Sequence, residues 1–90
     1  MLFMVIERFK NRDAVAVYRR FRDHGRMTPD GLTAVGSWVE VTWDRCFQLM
    51  ECDDPRLLGV WVARWSDLAE FEIIPIMPSS DAVEVIGPLL

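Results

Sequence analysis

Residues 37–54, SWVEVTWDRCFQLMECDD, hold two of the four tryptophans and both cysteines of a 90-residue chain. Read as two strands meeting around VTWD, the stretch fixes a register. A two-residue loop pairs Val41 with Asp44 and a four-residue loop pairs Glu40 with Arg45. Either way Val39 faces Cys46, Trp38 faces Phe47 and Ser37 faces Gln48. An opposite-charge pair and an aromatic pair landing opposite each other support that register. One face then presents Gly36, Trp38, Phe47 and Leu49, with Glu40 and Arg45 at its rim. The other presents Val35, Ser37, Val39, Cys46, Gln48, Met50 and Cys52. The Trp38–Phe47–Leu49 face is predicted to cover the helices. Ser37 and Gln48 are then two polar groups on a mostly apolar face that asks for a partner sheet.

The cysteines carry no metal or redox chemistry on this reading. Six residues apart on one strand at about 3.3 Å per residue, they lie about 20 Å apart. A disulfide needs Cα atoms within about 7 Å. A zinc site needs three or four ligands, and the chain has one histidine and no Cys-x-x-Cys. Both thiols are expected to be buried and reduced, as in a cytoplasmic protein.

Working outward, residues 2–9, LFMVIERF, form a short apolar run bounded by KNRD, which reads as a buried strand. Asn11 and Asp13 offer helix caps. Ala14, Val17, Tyr18 and Phe21 then recur on one helical face, and Gly25 stands where such a helix ends. Pro29-Asp30-Gly31 marks a turn. Asp53 or Asp54 caps a second helix with Pro55 in its first turn, and Leu57, Trp61 and Trp65 recur four residues apart. FEIIPIM, residues 71–77, is a fourth strand, and its Pro75 confines it to an edge or a bulge. Residues 79–90 read as a C-terminal tail with a helical turn or two, appended to a domain of residues 1–78. The order βαββαβ predicts an α+β fold: a four-stranded antiparallel sheet with two helices on one face, the ferredoxin-like arrangement.

Composition bounds the function. A chain of this length buries only about 60–65% of its unfolded surface. Half of it is nevertheless hydrophobic, and a homodimer sealed through the open sheet face would hide the excess. The net charge is −4 and the basic residues are scattered, so no nucleic acid or anionic membrane is implied as a partner. The third strand has a single aromatic, against the several that an RNA-binding sheet displays. No apolar stretch approaches the roughly 20 residues of a membrane span. No phosphate loop, nucleophile elbow or cofactor motif is present, so no cofactor is expected.

His24 sits where it complements a helix C-terminus, which explains it without catalysis. Gln48, Ser37, Tyr18 and Arg8 are the candidate ligand-binding residues, with Arg26 and Arg45 as further cations for an anionic or carbonyl group. Trp61 and Trp65 are read as packing between helix and sheet.

The segments MLFMVIERFK, YRRFRDHGRMTPDGL, GSWV, RCFQLMECDD and LLGVWVARWSDLAEFEIIPI together resemble a bacterial group, domain of unknown function 3303, over about residues 1–77. That group is similar in pattern to the dimeric α/β-barrel superfamily of muconolactone isomerase-like proteins, small cofactor-free monooxygenases and stress-responsive barrel proteins. The resemblance implies two sheets facing each other across a dimer, with pockets near the barrel interior. It brings no activity and no catalytic residues. The expected function is binding of a small, partly apolar ligand, as an isomerase or monooxygenase without a cofactor. The alternative is a non-catalytic protein-binding or accessory module, whose helices or tail meet another protein.

Overall fold

The computed structural model describes residues 1–90. Four strands, β1 (Leu2–Phe9), β2 (Thr33–Val39), β3 (Arg45–Glu51) and β4 (Ala69–Ile76), form one antiparallel sheet in the order β2-β3-β1-β4. Helices α1 (Ala14–His24) and α2 (Arg56–Trp65) pack on one face, and a third, α3 (Ser79–Ile86), follows β4. This is the α+β architecture that the order of elements predicts.

Local chemistry accounts for the boundaries. The Asp13 carboxylate accepts the Ala16 N–H at 3.1 Å and caps α1. At the far end Gly25 adopts φ 71° and ψ −161°, a region that side-chain-bearing residues rarely enter. Its N–H bonds the Phe21 carbonyl. Asp54 accepts the Arg56 N–H at 3.0 Å, and Pro55 stands before Arg56 with a helical φ of −63°. Pro75 lies on β4, an edge strand, as its missing donor requires. The tail is the eight-residue α3 and a 3₁₀ turn over Gly87–Leu89.

The β2–β3 register is the expected one: Ser37 opposite Gln48, Trp38 opposite Phe47, Val39 opposite Cys46. The loop is the four-residue form, closed by the Glu40 N–H on the Arg45 carbonyl at 2.8 Å and by a Glu40–Arg45 ion pair at 2.7 Å. Val35 is an extra residue, bulged between Ala34 and Gly36.

The assignment of faces is the reverse of the expectation. Cys46, Gln48 and Met50 are buried under the helices, in register with Glu7, Val5 and Phe3 of β1. With Phe9, Val17, Leu32, Cys52, Leu58, Trp61 and Trp65, the apolar members of that set form the core. Trp38 therefore does not anchor sheet to helix. It lies on the open face, 57% exposed. A Cβ on Gly36 would come within 2.6 Å of its ring, so glycine is what lets the indole lie back along the strand. The open face carries Leu2, Met4 and Ile6 of β1 in register with Leu49 and Phe47 of β3 and with Ile74 and Ile76 of β4.

The physical reason is that both faces are apolar and the polar groups decide between them. Glu40, Arg45, Arg8, Glu70 and Glu72 all fall on the Trp38 face by register, and together they would be costly to bury. Gln48 and Glu7 on the other face hydrogen-bond to each other, so their burial leaves no polar atom stranded.

Candidate functional site

The helices do not close completely on the sheet. Of the apolar face of α1, Val17 is buried, whereas Tyr18 and Phe21 remain 39% and 42% exposed. Beneath them lies a pocket of about 80 Å³ lined by seven hydrophobic and four polar residues. Its floor is Glu7, Cys46 and Gln48 of the sheet, and its walls are Phe9, Val17, Trp61 and Trp65. Tyr18, Phe21 and Ser37, the exposed lining residues, form the mouth, with the half-buried Arg26 among them.

The polar residues form one chain. Arg26 donates from Nη1 to Gln48 Oε1, and Gln48 Nε2 donates to Glu7 Oε1 at 2.5 Å. This places the Gln48 amide so that both ends are used, its oxygen toward the cation and its nitrogen toward the carboxyl. Ser37 Oγ and Cys46 Sγ lie 3.6 Å apart at the same end of the pocket. The other Glu7 oxygen has no protein partner, and no sealed side-chain polar atom lacks one, so that oxygen opens onto the pocket.

Arg26 is held from behind. The indole N–H groups of Trp61 and Trp65 both donate to its carbonyl oxygen, at 3.0 and 2.9 Å. The left-handed Gly25 and Met27 (φ 71° and 59°) flank it, and its guanidinium lies 5.4 Å from the Phe21 ring centroid. Tyr18 is wedged edge-on between Phe9 and Trp43 of the hairpin loop, with centroids 6.3 and 5.9 Å away. Across the helices, Arg20 bonds the Asp67 carboxylate at 2.7 and 2.6 Å and fixes α1 beside the end of α2.

Burial dominates the electrostatics. Desolvation raises the Glu7 carboxyl from an ordinary 4.5 to about 7, although the Gln48 hydrogen bond and the Arg26 charge both favour the anion. Desolvation likewise raises the Tyr18 phenol, with Cys46 and Glu7 adding to it, and raises the Cys46 thiol. At neutral pH the pocket thus holds a carboxyl raised toward the ambient pH, a neutral phenol, a neutral thiol and the Arg26 guanidinium.

Of the candidate residues, Gln48, Ser37 and Tyr18 come together here, in one pocket of the single chain. Arg8 does not join them: it is on the open face, 3.5 Å from Asp44. Arg45 is likewise on that face, paired with Glu40. His24 ends α1 outside the pocket. Both cysteines are free and buried, and no three His, Cys, Asp or Glu side chains converge as a metal site. Trp61 and Trp65 pack as expected, with the added task of holding Arg26. Glu7 is the residue that sequence reasoning missed. The available signal was its phase, since it shares a face with Phe3, Val5 and Phe9.

Fold and pocket together define a small α+β domain whose sheet–helix interior holds a carboxyl–amide–guanidinium chain in aromatic walls. The chain belongs to the family described as a domain of unknown function (DUF3303), whose model matches residues 1–90. No curated protein and no solved structure matches the chain significantly. No helix is long and apolar enough to cross a membrane.

Proposed function

We propose that this protein binds a small, partly apolar molecule in the pocket under α1 and that Glu7 exchanges a proton with it. The observation that carries the reading is the Glu7 carboxyl: buried, raised to about 7, with one oxygen fixed by Gln48 and the other facing the pocket. A carboxyl poised near the working pH can both take and return a proton, which is what an isomerisation next to a carbonyl requires. Gln48 and Arg26 orient it, Tyr18 and Ser37 offer hydrogen bonds at the mouth, and the aromatic walls accept the apolar body. A monooxygenase would use the same base to activate its substrate by deprotonation.

The strand order supports a ferredoxin-like arrangement. The second copy of this chain is the occupant we propose for the open sheet face, giving a dimeric α/β barrel. Eight apolar side chains lie there, Leu2, Met4, Ile6, Trp38, Phe47, Leu49, Ile74 and Ile76. The rim carries Arg8 and Arg45 beside Glu70 and Glu72, so it offers both signs of charge to an identical face. The two buried free thiols fit a reducing cytoplasm.

A non-catalytic accessory module is the second reading. It is favoured by α3, whose Val83, Val85 and Ile86 are 66%, 69% and 51% exposed.

A thermal-shift screen of small apolar carbonyl compounds and acids, run beside a mass measurement in solution, tests the ligand and the dimer together. Stabilisation by a ligand that is lost when Val17→Trp fills the pocket supports the first reading. A screen in which nothing stabilises the chain, with a single protein that co-purifies with it and is lost on Val83→Glu, favours the second.

A further inference from the structure

Arg26 makes an incomplete set of contacts for a guanidinium in such a place. It has five N–H donors, of which one is used, on Gln48 Oε1. It forms no ion pair, whereas Arg8, Arg20, Arg22, Arg45 and Arg56 each have a carboxylate within 4 Å. Its guanidinium also lies over the Phe21 ring. The backbone that carries it is nonetheless held by two tryptophan N–H groups and an unusual glycine conformation. A cation fixed from behind, unpaired in front and set at the rim of an aromatic pocket fits a planar anion. Guanidinium and carboxylate match as two parallel forks.

Size narrows the class. One water-sized sphere needs about 10–15 Å³, so a pocket of about 80 Å³ has room beneath its mouth for a body of on the order of five to eight heavy atoms, with the charged group outside it at Arg26. The apolar walls are Phe9, Val17, Trp61 and Trp65, which suits a flat or compact hydrocarbon body.

We propose that the ligand of this pocket is a small monocarboxylate with an aromatic or compact apolar body, its carboxylate gripped by Arg26 and its body seated against Trp61 and Trp65. This rests on the reading of the pocket as a ligand site and adds what the ligand must carry. The groups facing Glu7 are Arg26 from the α1–β2 loop, Tyr18 from α1, and Cys46 with Gln48 from β3. The lining residues of α2, Trp61 and Trp65, do not titrate, and the β4 residue paired with Glu7 is Phe71. An incoming carboxylate adds a second negative charge beside Glu7, so binding favours the protonated form of that side chain. Affinity therefore falls as pH rises through about 7, the value to which burial lifts Glu7.

The test is a titration followed by the amide and indole N–H resonances of ¹⁵N-labelled protein, with benzoate and butyrate against benzamide and butyramide. The carboxylates are expected to shift the Trp61 and Trp65 indole signals saturably and to bind roughly tenfold or more tighter than the amides. Arg26→Gln should remove that preference, and Arg26→Lys, which keeps charge without the fork, should keep only part of it. Benzoate, ionised throughout, should bind severalfold tighter at pH 6 than at pH 8, and Glu7→Gln should abolish the difference. Amides binding as tightly as carboxylates, or Arg26→Gln retaining benzoate affinity, would overturn the carboxylate assignment and leave the pocket as a ligand site. If none of the four probes moves a pocket resonance, the ligand site falls with it. Should Arg26→Gln lose its dispersed spectrum, the Arg26→Lys and amide comparisons decide.

Discussion

Replacing Glu7 by Gln should make the protein more stable at pH 8 and leave it little changed at pH 5. The folded chain holds the Glu7 proton up to about pH 7, whereas the unfolded chain releases it near 4.5. Between those values the folded state binds more protons, so stability falls as pH rises through the window and levels off above it. The stabilising proton is fully in place below 4.5 and lost through 7. Moving a carboxyl from 4.5 to about 7 corresponds to about 3 kcal/mol, at about 1.4 kcal/mol per pH unit. Glutamine keeps the acceptor oxygen for Gln48 Nε2 and never ionises, so its curve lacks this slope. The carboxylates of Asp54, Asp67 and Glu40 are lowered by their arginine partners and lose their contribution at acid pH instead, outside the window. His24 is common to both chains and drops out of the difference. Urea unfolding at fixed protein concentration, in half-unit steps from pH 5 to 8, measures the gap between the two proteins. It should open by about 3 kcal/mol, which for a domain of this size is roughly 10–20 °C in Tm. Parallel curves would mean that Glu7 is not raised. A gap of opposite sign would mean that Arg26 holds it ionised, and either result refutes its part as a proton carrier.

Three further outcomes follow from the same geometry. Gly25→Ala should cost about 1–3 kcal/mol by chemical denaturation, although the added Cβ meets nothing within 4 Å; the cost is conformational, and it should displace Arg26 and weaken carboxylate binding. Phe47→Glu on the open face should halve the solution mass measured by light scattering if that face joins two copies, and leave it unchanged if it does not. Asp54→Ala removes the acceptor for the Arg56 N–H, and should lower the urea midpoint slightly without altering the pocket resonances.

Register and caps were legible because they depend on neighbours in sequence. Asp13, Asp54, the Glu40–Arg45 pair and the Pro75 edge strand each act within a few residues or through an absent donor. The facing of the sheet was not, because it depends on a comparison across strands. The hairpin alone, apolar on both faces, does not tell that Trp38 and Phe47 lie outside. The charges do, once β1 and β4 are laid beside the hairpin. Arg8 pairs with Arg45 and with Glu70, and Ile6 with Phe47 and with Glu72, so the Trp38 face gathers a charged border that no helix could cover. The same registers bring Glu7 opposite Cys46, one step from Gln48. Two polar side chains that each look costly to bury become inexpensive when they meet. That meeting joins the fold to the proposed function. The hydrogen bond that lets Glu7 and Gln48 lie under the helices also fixes one carboxyl oxygen and leaves the other for the pocket. Exchanging Gln48 for Leu should therefore do two things at once. It strips Glu7 of the bond that favours its anion, lifting its titration above about 7, and it strips Arg26 of its acceptor. A carboxyl signal in ¹³C-labelled protein that titrates higher in Gln48→Leu than in the natural chain would show that the amide tunes the acid. An unchanged titration would reduce Gln48 to packing.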